Sequence, residues 1–209
     1  MSSENSNLFQ HLRQILADGI DPLDREDEIW AAYGQRVSVM VLDSTGFSRV
    51  TEQYGILHFL SRLVLLRDIV KPVLVANNCL QSKFEADNAF AIFESPDDAI
   101  KAAFAVHHQV ENEKLMLTEN EPFSVCVGIG YGDMLYSETL EGYFGEEMNL
   151  ASKLGEDTAD GGETLITENA FSAASHQLLT DFEPRQIHVS GLDVTCYLAK
   201  HPGSNSPDA

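Results

Sequence analysis

The chain has 209 residues, 44% of them hydrophobic, which fits one domain with its own core and short extensions better than two. Thirty-three Asp and Glu against 13 Lys and Arg leave a formal charge of −20. That charge repels nucleic acid and anionic membranes, yet admits a nucleoside triphosphate that arrives with divalent cations. Three widely spaced cysteines, Cys79, Cys126 and Cys196, suit neither a disulfide framework nor a zinc site. The polar start MSSENSNLFQHLRQ, with no apolar run near the ~18 residues needed to span a bilayer, predicts neither export nor membrane insertion, and hence a cytoplasmic protein.

Residues Leu8 to Tyr33 mix polar and apolar positions around Asp21-Pro22, which predicts one or two short helices in a lead-in over 1–35, ahead of a domain over 36–200. Val37 to Leu42 reads as a buried strand that stops at Asp43-Ser44-Thr45-Gly46. From Phe47 to about Ala76 apolar residues recur at helical spacing, with Gly55 and Pro72 as expected interruptions. Strands follow over Leu80 to Glu85 and Ala89 to Phe93, and the tip between them places Asp87 on an exposed turn. Ser95-Pro96-Asp97-Asp98 starts a helix whose stripe is Ala99, Ala102, Ala103, Val106 and Val110.

Phe123 to Ile129 reads as a strand, Met148 to Leu154 as a helix after Gly145, and Gly161-Gly162 as a break. Thr164 to Thr167 is strand-like, Glu168 to Leu179 helical, and Gln186 to Val189 with Val194 to Leu198 forms a closing hairpin. Residues 201–209 read as a disordered tail. Hairpins and helices both join successive strands, so the class is α+β with a mixed or antiparallel sheet.

Asp43, at the end of a buried strand, places a carboxylate beside the main-chain amides of Thr45, Gly46 and Phe47, where a helix begins. The amides and helix start suit phosphate, and the carboxylate suits a hard cation. The plainer reading of Asp43 is a helix cap, and that of Asp87 an ordinary turn residue. His107-His108 lacks a spaced third ligand and reads as surface or partly buried. Gly128-x-Gly130-x-Gly132 is a weak dinucleotide signal better explained by a turn or strand edge. Glu156-Asp157 reads as solvated charge.

Taken in order, three segments resemble motifs of the class III adenylate/guanylate cyclase catalytic domains. Val41-Leu42-Asp43-Ser44-Thr45-Gly46-Phe47-Ser48 resembles the first metal motif, in which a strand is followed by Asp, two residues, Gly, Phe and a small hydroxyl residue. Lys83-Phe84-Glu85-Ala86-Asp87 resembles the hairpin that carries Lys four residues before the second metal Asp, with Ala86 where Gly usually stands. Phe144-Gly145-Glu146-Glu147-Met148-Asn149-Leu150-Ala151-Ser152-Lys153-Leu154 resembles the helix bearing an Asn and, four residues later, an Arg, here Lys153. Residues four apart share a helix face, so Asn149 and Lys153 can address one ligand.

The resemblance spans about Arg36 to Tyr197 and implies a ferredoxin-like, palm-type sheet flanked by helices. It implies two Mg²⁺ or Mn²⁺ ions per site on Asp43, Asp87 and the main-chain carbonyl of Ser44. Asn149 would orient the ribose, Lys153 would serve the transition state, and Lys83 and Gly142 would read the purine. Lys83 suits adenine, whereas Gly142 has no side chain to accept from the adenine amino group. The family's sites are shared between two subunits, so a homodimer is implied. The expected activity converts ATP, with GTP second, to a 3′,5′-cyclic nucleotide and pyrophosphate. The competing reading is a catalytically weak or inactive cyclase-like nucleotide-binding or dimerisation module, favoured by Gly142 and Lys153. The Gly-Gly-Asp/Glu-Glu-Phe signature of diguanylate cyclases is absent.

Overall fold

Val37 to Leu42 is apolar apart from Ser38, a pattern that suits a strand covered on both faces. In the computed structural model, which describes residues 7–138, 142–179, 181–189 and 191–199, this run is the middle of strand β1 (Gly34–Ser44), preceded by helices α1 (Leu8–Ala17) and α2 (Glu26–Tyr33). Next come α3 (Phe47–Tyr54), α4 (Ile56–Ala76), the hairpin β2 (Gln81–Glu85) and β3 (Asn88–Phe93), and α5 (Pro96–Asn112). A separate small hairpin, β4 (Met116–Thr118) and β5 (Glu121–Pro122), leads into β6 (Val125–Ser137) and β7 (Gly142–Phe144). Helix α6 (Glu146–Ser152) runs on into a π-helical turn, Lys153–Thr158, before β8 (Thr164–Thr167), α7 (Glu168–Ala173), β9 (Phe182–Val189) and β10 (Leu192–Ala199).

The sheet order is β2-β3-β1-β6-β8-β10-β9, with β7 paired to the end of β6. Only β6 and β8 run parallel among the pairs of the main sheet. The path β1-α4-β2-β3-α5-β6 with strand order 2-3-1-6 is the expected ferredoxin-like arrangement, an α+β fold.

Strand alternation assigns the faces. Met40 and Leu42, with Phe93, Val127 and Ile129, pack beneath the helices that contribute Val50, Phe59, Leu66 and Ile100. Val37, Val39 and Val41 point the other way and join Ile92, Met134 and Ala151 of α6. Ser38 tolerates burial because its hydroxyl donates to the Gly130 carbonyl at 2.9 Å. Asp43 shares the alternation of Val39 and Val41, so it stands on the α6 face.

Several sequence expectations change. Gly128, Gly130 and Gly132 lie inside the central strand β6, at neither a turn nor an edge. A Cβ on Gly128 would come 2.0 Å from the Ala151 carbonyl oxygen, and one on Gly130 2.5 Å from that of Glu147. These glycines let α6 lie directly on the sheet backbone. Gly55, with φ of 87°, does separate α3 from α4, but α4 runs through Pro72, which is exposed and so gives up its amide on the solvent side. Strand β6 continues to Ser137, well past Ile129, and α7 stops at Ala173 rather than Leu179 because Ala174 is extended (φ −73°, ψ 154°). The lead-in helices bury Leu8, Ile15 and Ile29 against Leu12, Tyr33 and Leu135. Among the described residues no helix is long and apolar enough to cross a membrane, and all three cysteines are free thiols. The expected tail, 201–209, lies outside the described residues.

Candidate active site

Two backbone features set the carboxylates. Asp43 is the penultimate residue of β1, and Asp87 is the second of two turn residues joining β2 to β3, with Glu85 opposite Asn88. Because β3 pairs with β1 so that Leu42 opposes Ala89, the hairpin tip lies beside the end of β1. Asp43 feels the result: burial, then the charge of Asp87, with smaller contributions from Glu156 and Asp157, push its pKa up to about 6 against a hydrogen bond from the Ser44 backbone.

Two carboxylates forced together in a half-buried place suit a divalent cation, which supplies the missing counter-charge through hard oxygen ligands. Beside each Asp is a buried oxygen, Ser44 Oγ and Asn88 Oδ1, with no hydrogen-bond partner among the described residues. The same residues contain no group of three or more His, Cys, Asp or Glu arranged to hold a metal. The donor set therefore fits an ion whose shell is completed by phosphate oxygens or water.

The loop after Asp43 is more restricted than its sequence suggests. The amide and hydroxyl of Thr45 both donate to the Ser124 carbonyl, at 3.1 and 3.0 Å, so this amide is committed to the fold and not to phosphate. Gly46, with φ of 85°, starts α3 without a side-chain cap, which leaves first-turn amides for an anion. The ring of Phe47 packs edge-on against Phe59 at 4.9 Å and anchors the loop.

Asn149 on α6 is exposed. Its carbonyl accepts the Lys153 amide, preserving the expected four-residue spacing, but the Lys153 Nζ lies 2.7 Å from Asp157 Oδ2. That hydrogen bond and the Asp157 charge raise the Lys153 pKa. Glu156 and Asp157 are exposed as expected, yet the π-helical turn brings their charges within reach of Asp43, and burial with Asp157's charge raises Glu156 itself.

Glu147 stands outside the roles that the sequence motifs assign. It is buried, and its Oε2 accepts from the Tyr131 amide at 3.0 Å and the Thr167 hydroxyl at 2.6 Å, while Oε1 accepts from Asn169 at 2.7 Å. The available signal was spacing, since Glu147, Ala151 and Leu154 form one buried i, i+4, i+7 stripe.

A cavity of about 240 Å³ opens between the β2–β3 hairpin and β7–α6. Lys83, Glu85, Gly142 and Ser152 form its polar rim, and Phe90, Ile92 and Met148 supply apolar surface. The two expected purine-reading positions thus share one cavity.

No protein-family model and no curated protein sequence matches the chain. Solved structures do. The adenylate/guanylate cyclase/hydrolase from Silicibacter pomeroyi superposes with a TM-score of 0.68 at 18% identity, over 82% of this chain and 99% of its own. The guanylate cyclase domain of RhGC from Catenaria anguillulae, solved with GTP, gives 0.68 at 15%, over 80% and 97%. An adenylate cyclase from Trypanosoma brucei, solved in its monomeric state, gives 0.63 at 18%, over 82% and 92%. The chain has the class III nucleotidyl cyclase fold.

On this cyclase fold, Asp43 and Asp87 meet at one end of β1, and Lys83 and Gly142 meet in one cavity. Asn149 lies on α6, the helix that also supplies Met148 and Ser152 to that cavity, and Lys153 opens the π-helical turn that continues it. Thr45 is the one expected phosphate contact whose amide is already occupied.

Proposed function

We propose that the chain is an adenylate cyclase, forming 3′,5′-cyclic AMP and pyrophosphate from ATP, with GTP the second choice, at composite sites of a homodimer. The observation that carries this reading is the convergence of Asp43 and Asp87 beside the start of α3, on a cyclase fold. Asp43, Asp87 and the Ser44 carbonyl would hold two Mg²⁺ or Mn²⁺ ions. When bound, such ions supply Lewis-acid activation of the ribose 3′-hydroxyl and neutralise the pyrophosphate.

The chain's own residues do the rest. The first amides of α3 hold phosphate oxygens, and the Asn149 side chain fixes the ribose on the partner side of the site. Lys153 leaves Asp157 to meet negative charge that develops during transfer. A Lys gives this charge one compact donor where Arg gives a planar fork, and that weakness, with the missing side chain of Gly142, supports the second reading: a cyclase-like nucleotide-binding module of low or no turnover.

Purified protein with Mn²⁺ and ATP is expected to yield cyclic AMP, and Asp43→Ala or Asp87→Ala to lower the rate by at least about 10³-fold. Cyclic product made equally fast by either variant would sink the metal assignment, and no product from the parent would leave the second reading.

A further inference from the structure

The rim of the cavity carries one side chain that the cyclase motifs leave unassigned. Glu85 follows Lys83 by two residues on β2, so both project to the same side of the strand, and the Lys83 Nζ lies 3.1 Å from Glu85 Oε2. Both side chains are open to solvent, 45% and 65% exposed. Packing therefore consumes neither. Gly142, on the same rim, offers no side chain at all.

Resting on the reading of the chain as an adenylate cyclase, we infer that Glu85 is a base-reading residue. Its carboxylate supplies the acceptor for the adenine amino group that Gly142 lacks. The cavity, at about 240 Å³, falls below the roughly 300–1,000 Å³ of pockets that enclose whole drug-sized ligands. It suits a flat base, with Phe90, Ile92 and Met148 against the ring.

Hydrogen-bond counting selects the base. The pair as it stands turns Glu85 Oε2 to Lys83 and leaves Oε1 as an acceptor beside an ammonium donor. The Watson–Crick edge of adenine offers the complement, an amino donor beside a ring-nitrogen acceptor. Guanine presents two neighbouring donors and a carbonyl, a pattern that engages both carboxylate oxygens side-on and not just the one turned away from Lys83. A site that hydrogen-bonds a base rejects one that leaves its groups unpaired. An exposed ion pair with no reading role would add little to stability and would leave base preference untouched.

The test measures binding of 3′-deoxy-ATP and 3′-deoxy-GTP, which have no 3′-hydroxyl to cyclise, to the full chain with Mn²⁺ by calorimetry. The parent is expected to prefer the adenine nucleotide. Glu85→Ala should weaken that nucleotide by at least about tenfold and leave the guanine one unchanged, and Glu85→Gln, which keeps a carbonyl acceptor, should retain most of the preference. Thermal unfolding of each variant separates a reading defect from a folding defect. Equal loss for both bases, no change for either, or selective loss of the guanine nucleotide in a folded Glu85→Ala protein overturns the assignment. Cyclic AMP production is scored separately. A parent that binds adenine through Glu85 but makes no product refutes the cyclase reading alone, whereas a parent that makes product with a base preference indifferent to Glu85→Ala refutes this inference alone.

Discussion

The carboxylate end of β1 and the helix α6 are positioned by opposite means. Asp43 and Asp87 are placed by local backbone, a strand end and a two-residue turn locked by the β1–β3 register. Helix α6 is placed by contacts distant in sequence: glycines of β6 that admit it to the sheet, and Glu147, which is held by Tyr131, Thr167 and Asn169. Register makes the first region hard to displace and stores like-charge repulsion there. Tertiary packing makes the second depend on a few buried groups.

The largest expected effect breaks the α6 side. Glu147→Ala strands three donors, two of them backbone or hydroxyl groups under the helix, at about 1 kcal/mol or more each, so a loss of about 3 kcal/mol is expected in urea unfolding. Glu147→Gln keeps the shape and should lose less. A loss below 1 kcal/mol for the Ala variant would show that the helix is held by its apolar stripe alone.

A smaller effect tests the repulsion stored at the carboxylates. Asp43 ordinarily titrates near 3.8 and here near 6. Between those values the unfolded chain has released its proton while the folded one retains it, so stability falls as pH rises through this window and the penalty is complete above it. Asp43→Asn removes the penalty. It should stabilise the metal-free protein at pH 7.5 by on the order of 1–2 kcal/mol, allowing for solvent screening, with no gain at pH 4. Added Mn²⁺ should raise the melting temperature of the parent more than that of the variant. A variant no more stable than the parent at pH 7.5 would mean that neither burial nor Asp87 penalises the Asp43 charge.

How legible each region was follows from this contrast. The carboxylate pair could be read from sequence because a strand ending in Asp and a hairpin tip bearing Asp are local patterns. The role of Gly128, Gly130 and Gly132 is not legible locally, because close approach of a helix is a tertiary fact that leaves only glycines behind. The Lys153–Asp157 pair and the π-helical turn escaped for a related reason: an i, i+4 pattern looks the same whether the backbone is α or π. Leu178 and Leu179 continue an apolar rhythm past the end of α7, which the backbone closes at Ala174. Nothing local in the sequence announces the Ser124 carbonyl that takes the Thr45 amide.

At the site itself, Lys153→Arg sharpens the comparison. If Lys153 serves developing phosphate charge, the bidentate guanidinium should raise cyclase turnover by up to about tenfold at unchanged KM. Unchanged turnover would show that the Asp157 pair, and not the transition state, is what this position serves, and a marked fall would contradict the assignment.

The smallest effect concerns the turn that presents Asp87. Ala86 has φ of 49° while Asp87 is not among the residues of positive φ, the pattern of a II′ hairpin turn, whose first central position favours Gly. An Ala there costs roughly 1–2 kcal/mol of strain, and Gly returns about 0.5–1 kcal/mol of it to the entropy of the unfolded chain. Arg67 supports the strained turn, its guanidinium donating to the Ala86 carbonyl and lying 5.4 Å from the Phe84 ring centre. Ala86→Gly should therefore stabilise the protein by about 0.5–1 kcal/mol in urea unfolding, with turnover within twofold of the parent, since Arg67 and the β2–β3 register still fix where Asp87 points. Stabilisation with a clear loss of activity would mean that the methyl group of Ala86 itself steers Asp87 toward Asp43, and the carboxylate region would then depend on a side-chain contact as α6 does.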